Sequence, residues 1–286
     1  MNRLTVRTEP VQGPMTLAQS LRQAQALGLE RIDAQLLHLL ALGKPLHERA
    51  WLLAHDSDTL DEATLSRLAP LLERRLGGEP LAYITGTKEF FGLPLRVDAR
   101  VLDPRPDTET LVEWALERLP LDTPHEVIDL GTGSGAIALA LQHHRPQARV
   151  SAVDASQEAL SVAQANAERL QLPVRFIHSH WLQGIAGRFD LIVSNPPYIE
   201  ADDPHLAALT HEPLQALASG ADGLDDIRTI IAQAPAHLKP GGWLLLEHGH
   251  DQAEAVRTLL SQAGWKNVQS RKDLAAIERC TGAQRG

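Results

Sequence analysis

Over residues 15–80 the apolar positions fall only at helical spacing. Leu17, Leu21 and Ala24 form one stripe, Ile32, Leu36, Leu37, Leu39 and Leu40 a second, and Leu60, Leu65, Leu68, Leu71 and Leu72 a third. Breaks fall at Gly28, at Gly43 with Pro45, at Asp56-Ser57-Asp58 and at Gly77-Gly78. Such stripes predict short amphipathic helices packed as a small bundle. Residues 1–14, with Pro10, Gly13 and Pro14, read as a flexible lead-in.

The pattern changes over 81–105. Tyr83-Ile84-Thr85-Gly86 and Phe90-Phe91-Gly92-Leu93-Pro94-Leu95-Arg96-Val97 are β-formers punctuated by glycine, which predicts a β-hairpin linker. Asp103-Pro104-Arg105-Pro106-Asp107-Thr108-Glu109 then announces a helix running to about residue 119. From 106 to 286 the period alternates between two and 3.6. Strands are expected over 127–130, 149–154, 174–178, 189–194 and 243–247, with strand-like pieces at 267–271 and 275–279. Helices are expected over 135–144, 156–170, 224–238 and 251–263. Strands spaced by helices of that length predict an α/β domain whose parallel sheet is covered on both faces.

Composition narrows the function classes. The 286 residues carry a formal net charge of −9, which argues against direct nucleic-acid binding through phosphate neutralisation. The one cysteine, Cys280, excludes an internal disulfide and a cysteine-rich zinc site. No apolar run approaches a membrane span, and the N-terminus lacks a signal-peptide core, so a cytoplasmic protein is expected. His143, His144, His248 and His250 lack acidic or cysteine partners at ligand spacing and read as solvated or capping, so no metal is expected.

Candidate chemistry lies at strand ends. Asp129-Leu130-Gly131-Thr132-Gly133-Ser134-Gly135-Ala136 joins the first strand to its helix, where a tight turn lets a ligand approach the backbone. Gly131, Gly133 and Ala136, with Asp154 downstream, also satisfy the dinucleotide fingerprint, so the nucleotide stays open at this point. Asp154 can accept from both ribose hydroxyls or open the next helix. Trp181, after the third strand, can stack an adenine or cover the core. The fourth strand ends in Asn195-Pro196-Pro197-Tyr198. Prolines lack N–H groups and lock φ, so the Asn195 side-chain oxygen and the Pro196 carbonyl form a stiff pair of acceptors. Two convergent acceptors match one planar –NH2, and Tyr198 adds an aromatic face. A proline turn with Asn195 bonded to its own backbone is the bland alternative.

The glycine turn together with Asn195-Pro196-Pro197-Tyr198 resembles the class I S-adenosylmethionine-dependent methyltransferases that modify planar nitrogens. Gly78-Glu79-Pro80-Leu81-Ala82-Tyr83-Ile84-Thr85-Gly86, the run from Asp103 to Glu109, and Leu245-Leu246-Glu247-His248-Gly249 narrow the resemblance to the peptide chain release factor N5-glutamine methyltransferases, over residues 16–280. The resemblance implies a Rossmann-like, seven-stranded, mostly parallel sheet behind the helical bundle. It implies transfer of a methyl group from S-adenosyl-L-methionine to the glutamine amide of the Gly-Gly-Gln motif of class I release factors. The helical domain would dock the release factor, and a monomer is expected. By the same matching, Gly131, Thr132, Gly133, Ser134, Gly135, Asp154, Trp181 and Asn195 hold the cofactor. Asn195, Pro196, Pro197 and Tyr198 hold the glutamine, and Asn195, Pro196 and Tyr198 act in transfer. Rival readings are a ribosomal-protein glutamine methyltransferase, an N6-adenine nucleic-acid methyltransferase, a dehydrogenase and a silent release-factor-binding module. Two residues depart from the family pattern: His180, where an aspartate is frequent, and Ala276, where glycine is usual and a shifted last turn is expected.

Overall fold

Thr16 opens the chain's first helix with a reciprocal cap: its hydroxyl accepts from Gln19 N, and the Gln19 side chain accepts from Thr16 N. This computed structural model describes residues 14–286, so the lead-in expected over 1–14 lies, Pro14 apart, outside the described residues. The chain divides into two compact units between Thr85 and Gly86.

The first unit holds α1 (Leu17–Ala26), α2 (Arg31–Ala41), α3 (Arg49–Ala54), α4 (Glu62–Leu76) and α5 (Leu81–Thr85). The apolar stripes close two clusters, one around Ala24, Leu37, Leu68 and Ile84, the other around Leu17, Leu39, Leu52 and Leu60. His38 lies between helices, Nδ1 donating to Ala34 O at 2.7 Å and Nε2 accepting from the Ser20 hydroxyl at 2.8 Å. Burial depresses its pKa, in keeping with a neutral ring. The strand expected at Tyr83-Ile84-Thr85 is instead helix α5. Pro80 starts the turn, its carbonyl accepting from Tyr83 N and Ile84 N, and Ala82, Tyr83 and Ile84 are all buried, which removes strand alternation.

The second unit begins with the hairpin β1 (Thr87–Phe90) and β2 (Leu93–Arg96), followed by α6 (Glu109–Arg118). Then come β3 (Glu126–Leu130), α7 (Ala136–His144), β4 (Arg149–Asp154), α8 (Gln157–Leu170), β5 (Arg175–His178) and β6 (Phe189–Ser194). α9 (Asp225–His237), β7 (Leu238–Glu247), α10 (Ala253–Gln262), β8 (Lys266–Lys272) and β9 (Glu278–Gln284) complete it. The seven strands lie in the order β5-β4-β3-β6-β7-β9-β8. β3 is parallel to β4 and β6, and β9 is antiparallel to both its neighbours. Val127, Ile128, Leu130, Leu191, Ile192 and Val193 are inaccessible to solvent, as central parallel strands covered on both faces require.

Asn166 of α8 ties the hairpin to the sheet. Its Oδ1 accepts from Arg96 N at 2.7 Å, and its Nδ2 donates to Arg96 O and to Ser134 O. No helix among the described residues is long and apolar enough to cross a membrane.

The last strand differs from expectation. Residues 273–277 form a tight turn rather than strand: Asp273 Oδ1 accepts from Ala275 N and Ile277 N, and Asp273 N donates to Ile277 O. β9 starts at Glu278 and was hidden in the sequence because Cys280, Thr281, Gly282 and Ala283 are all buried and do not alternate. Ala276 adopts φ 64°, so the turn keeps a glycine-type backbone on an alanine. Ala276→Gly should therefore stabilise the protein by roughly 0.5–1 kcal/mol, read as a raised urea midpoint. Asn166→Leu removes three bonds from a buried site and should cost about 2–3 kcal/mol on the same measurement.

Candidate functional site

β4, β3 and β6 end level with one another. Leu130 pairs with Val153 on one side and with Ser194 on the other, so the segments after Leu130, Val153 and Ser194 emerge together at the carboxyl edge. That edge is where open α/β sheets place ligands. A cavity of about 360 Å³ opens there, walled by Gly131, Gly133, Asp154, Trp181, Asn195 and Pro197 among the residues singled out from the sequence. Its size suits a small molecule.

The turn after β3 is held tightly. Gly131 N and Thr132 N both donate to Val153 O. Gly131 has φ 70°, and a Cβ there would come within 3.2 Å of the Trp181 ring. Gly135 has φ 85° at the start of α7, where a Cβ would meet Leu139 at 3.0 Å and Ala163 at 3.2 Å. Thr132, Ser134 and Gly135 shape this turn without reaching the cavity wall. The Thr132 hydroxyl donates to Asp129 Oδ2 at 2.6 Å, and Asp129 Oδ1 is buried without a hydrogen-bond partner among the described residues. Burial pushes Asp129 up to about 7, against the pull of Thr132 and of Ala138 N.

Asp154 crosses from β4 to this turn. Its Oδ2 accepts from Gly133 N at 2.9 Å and its Oδ1 from Ser156 N at 2.8 Å. Burial raises its pKa despite these bonds. The cap of α8 is Ser156, whose hydroxyl accepts from Ala159 N, so Asp154 is not consumed as the helix cap. Trp181 belongs to the core cluster and to the cavity wall together. Its Nε1 donates to Asp226 Oδ1 at 3.1 Å, and Asp226 Oδ2 accepts from Ser219. His180 lines the cavity beside it.

Asn195 stands at the end of β6, where its Nδ2 donates to Thr108 Oγ1 at 3.2 Å. Engaging the nitrogen turns Oδ1 away from Thr108. Among the described residues, no hydrogen bond is spent on Asn195 Oδ1 or on the Pro196 carbonyl. The following backbone is pinned: Tyr198 N and Ile199 N donate to Leu217 O, and Gln252 Nε2 donates to Tyr198 O at 3.0 Å. Asn195 therefore does not bond its own turn, as the bland alternative required. Pro196 is buried and Tyr198 half-buried, and neither is among the residues that line the cavity. Burial moves the Tyr198 hydroxyl pKa up, so it keeps its proton.

Sequence reasoning missed the opposite walls. Arg100, Val101 and Leu102 line one, and Pro213, Gln215, Ala216 and Ala218 another. Glu212 joins these walls, accepting from Arg105 at 2.5 Å and from Asp103 N at 3.3 Å. Thr108 and Glu247 were also missed as site residues, although both fall within runs that carry the family resemblance. The available signal was a polar residue ending an apolar strand or opening a helix beside Asn195. Among the described residues no cluster of three histidine, cysteine or acidic side chains could hold a metal ion.

Comparison with known proteins fits this geometry. Residues 107–222 match the model of the methyltransferase small domain, and residues 16–86 match the PrmC N-terminal domain. The chain is 47% identical to the release factor glutamine methyltransferase of Coxiella burnetii, over 90% of this chain and 92% of that one. It is also 47% identical to the release factor glutamine methyltransferase of Burkholderia pseudomallei, over 95% and 96%. A methyltransferase crystal structure from Pyrococcus furiosus, 20% identical, superimposes with a TM-score of 0.55 over 77% of this chain and 98% of that one, a likeness of fold. The seven-stranded sheet is the class I methyltransferase fold, and the chain belongs to the release factor glutamine methyltransferase family.

Proposed function

We propose that this protein transfers a methyl group from S-adenosyl-L-methionine to the side-chain amide nitrogen (N5) of the glutamine in the Gly-Gly-Gln motif of class I release factors. The observation that carries the reading is the pair of unspent acceptors, Asn195 Oδ1 and Pro196 O, at the end of β6 beside a nucleotide-sized cavity. The names borne by the relatives support the same substrate.

The cavity fits the cofactor chemically. The bare backbone at Gly131 and Gly133 admits close approach, and Asp154 has lone pairs left after its two N–H contacts to accept ribose hydroxyls. Trp181 offers an aromatic wall. When bound, S-adenosylmethionine supplies an electrophilic methyl group on a positively charged sulfur. The amide nitrogen is a poor nucleophile because its lone pair is delocalised into the carbonyl. Asn195 Oδ1 and Pro196 O accept its two N–H groups, aim the nitrogen, and favour the positive charge that grows on it. Tyr198, with its hydroxyl kept protonated by burial, gives the flat amide an uncharged aromatic neighbour. The proton leaves to water after the nitrogen is alkylated.

The reading makes this a cytoplasmic, monomeric enzyme with a protein substrate rather than a nucleic acid. Its first unit would dock the release factor.

In a labelled-methyl assay, intact release factor should take up label and a variant with the motif glutamine changed to alanine should not. Asn195→Ala should lower kcat by roughly 10²–10³-fold, with a smaller effect on cofactor affinity and an unchanged circular dichroism spectrum. Near-normal turnover would contradict the reading. Asp154→Ala should weaken S-adenosylmethionine binding at least ~10-fold by calorimetry, about 1.4 kcal/mol, while release factor binding persists.

A further inference from the structure

β6 and β7 are parallel neighbours in the register Ser194 with Leu246, so Glu247 emerges beside Asn195. It is an unusual residue for the end of an apolar strand. It is 1% exposed, and its Oε2 is buried with no hydrogen-bond partner among the described residues. A carboxyl group buried this way is costly and calls for a reason. The side chains acting on it are Thr108 and Tyr198, through their hydroxyls, and the charges of Asp107 and Arg279. Arg279 in turn bridges Asp107 at 3.3 Å and Asp273 at 3.2 Å. Cys280 pairs with Glu247 across the strands, its thiol pushed up by burial, and His248, its pKa lowered by burial, follows directly after β7.

Counting protons gives the reason. Thr108 has one hydroxyl proton, and Asn195 already donates to its oxygen. An ionised Glu247 can only accept, so the protons of Thr108 and Tyr198 turn towards it. Thr108 is then left offering a lone pair to Asn195, which admits only the carboxamide nitrogen inward and Oδ1 outward. A protonated Glu247 releases the Thr108 proton to swing to Asn195. The amide then gains by flipping, and a donor faces the substrate –NH2 where an acceptor is needed.

We propose that Glu247 is a positioning residue for methyl transfer: acting through Thr108, it holds the Asn195 carboxamide in the orientation that presents Oδ1 to the substrate amide. This rests on the reading that Asn195 binds the glutamine. Burial, the largest influence, pushes Glu247 up to about 7, with Asp107 adding to the rise and Thr108, Arg279 and Tyr198 opposing it. The competent form is the ionised one, so turnover rises with pH through neutrality. Stability moves the other way. The folded pKa lies above the ordinary carboxyl value, so the native state binds the extra proton and loses stability as pH climbs from about 4.5 to about 7. Glu247 thus works against the fold at the pH where it serves the site.

The test uses the full chain, S-adenosylmethionine and intact release factor, with kcat followed from pH 6 to 9 for wild type, Glu247→Gln, Thr108→Val, Thr108→Ser and Asn195→Ala. Glu247→Gln should lose roughly tenfold or more in kcat at pH 8, a factor worth about 1.4 kcal/mol, with the cofactor KM little changed. It should also lose the rising limb near pH 7 and melt no lower than wild type at pH 8. Asp129, the other acid raised to about 7, is intact in this variant, so a limb that persists unchanged overturns the proposal. Wild-type kcat in Glu247→Gln beside an inactive Asn195→Ala likewise overturns it while sparing the glutamine-binding reading. An active Asn195→Ala overturns both. Should Glu247→Gln not fold, the hydroxyl decides: Thr108→Ser is expected to outpace Thr108→Val about tenfold or more, and equal rates overturn the proposal.

Discussion

The constraint on which everything else depends is the level ending of three parallel strands. Leu130, Val153 and Ser194 share one register, and the residues that follow them have nowhere to go but one rim. The register is strongly held because Val127, Ile128, Leu191 and Ile192 are close-packed on both faces of the sheet, and a slip of one residue would break that packing. The glycine turn, Asp154 and Asn195 are therefore brought together by core packing, and none of them supplies the energy for it.

On that rim, backbone rigidity and proton accounting do the rest. Two prolines deny the chain after Asn195 the N–H groups that would let it fold back on itself. Bonds from Tyr198 N, Ile199 N and Gln252 hold it further along. Thr108 takes the amide nitrogen of Asn195 and leaves the oxygen facing outward. A weak nucleophile needs this kind of help: donors and acceptors set in place before the substrate arrives need no reorganisation during reaction.

Much of the fold was legible because it rests on periodicity. The strands ending at Asp154, Ser194 and Glu247 carry apolar runs that stop at polar residues, and the helices between them carry stripes. Legibility failed where burial removes alternation. Residues 82–84 and 280–283 are buried without a two-residue period, so one helix read as strand and one strand was displaced. At Ala276 a glycine-type φ persists without glycine, because the two bonds to Asp273 Oδ1 define the turn regardless of the residue. The near wall of the cavity was visible as motifs at strand ends. The far walls were not, since residues 100–102 and 213–218 are far apart in the chain, and Glu212, which helps to join them, lies more than a hundred positions from Arg105. Thr108 and Glu247 become meaningful only once β7 is seen to lie against β6.

The most direct measurement is a crystal structure of the protein with S-adenosylhomocysteine and a peptide containing Gly-Gly-Gln. The account predicts the glutamine –NH2 within about 2.7–3.2 Å of both Asn195 Oδ1 and Pro196 O, with its nitrogen turned towards the sulfur. A glutamine bound elsewhere, or an Asn195 amide nitrogen facing it, would contradict the account.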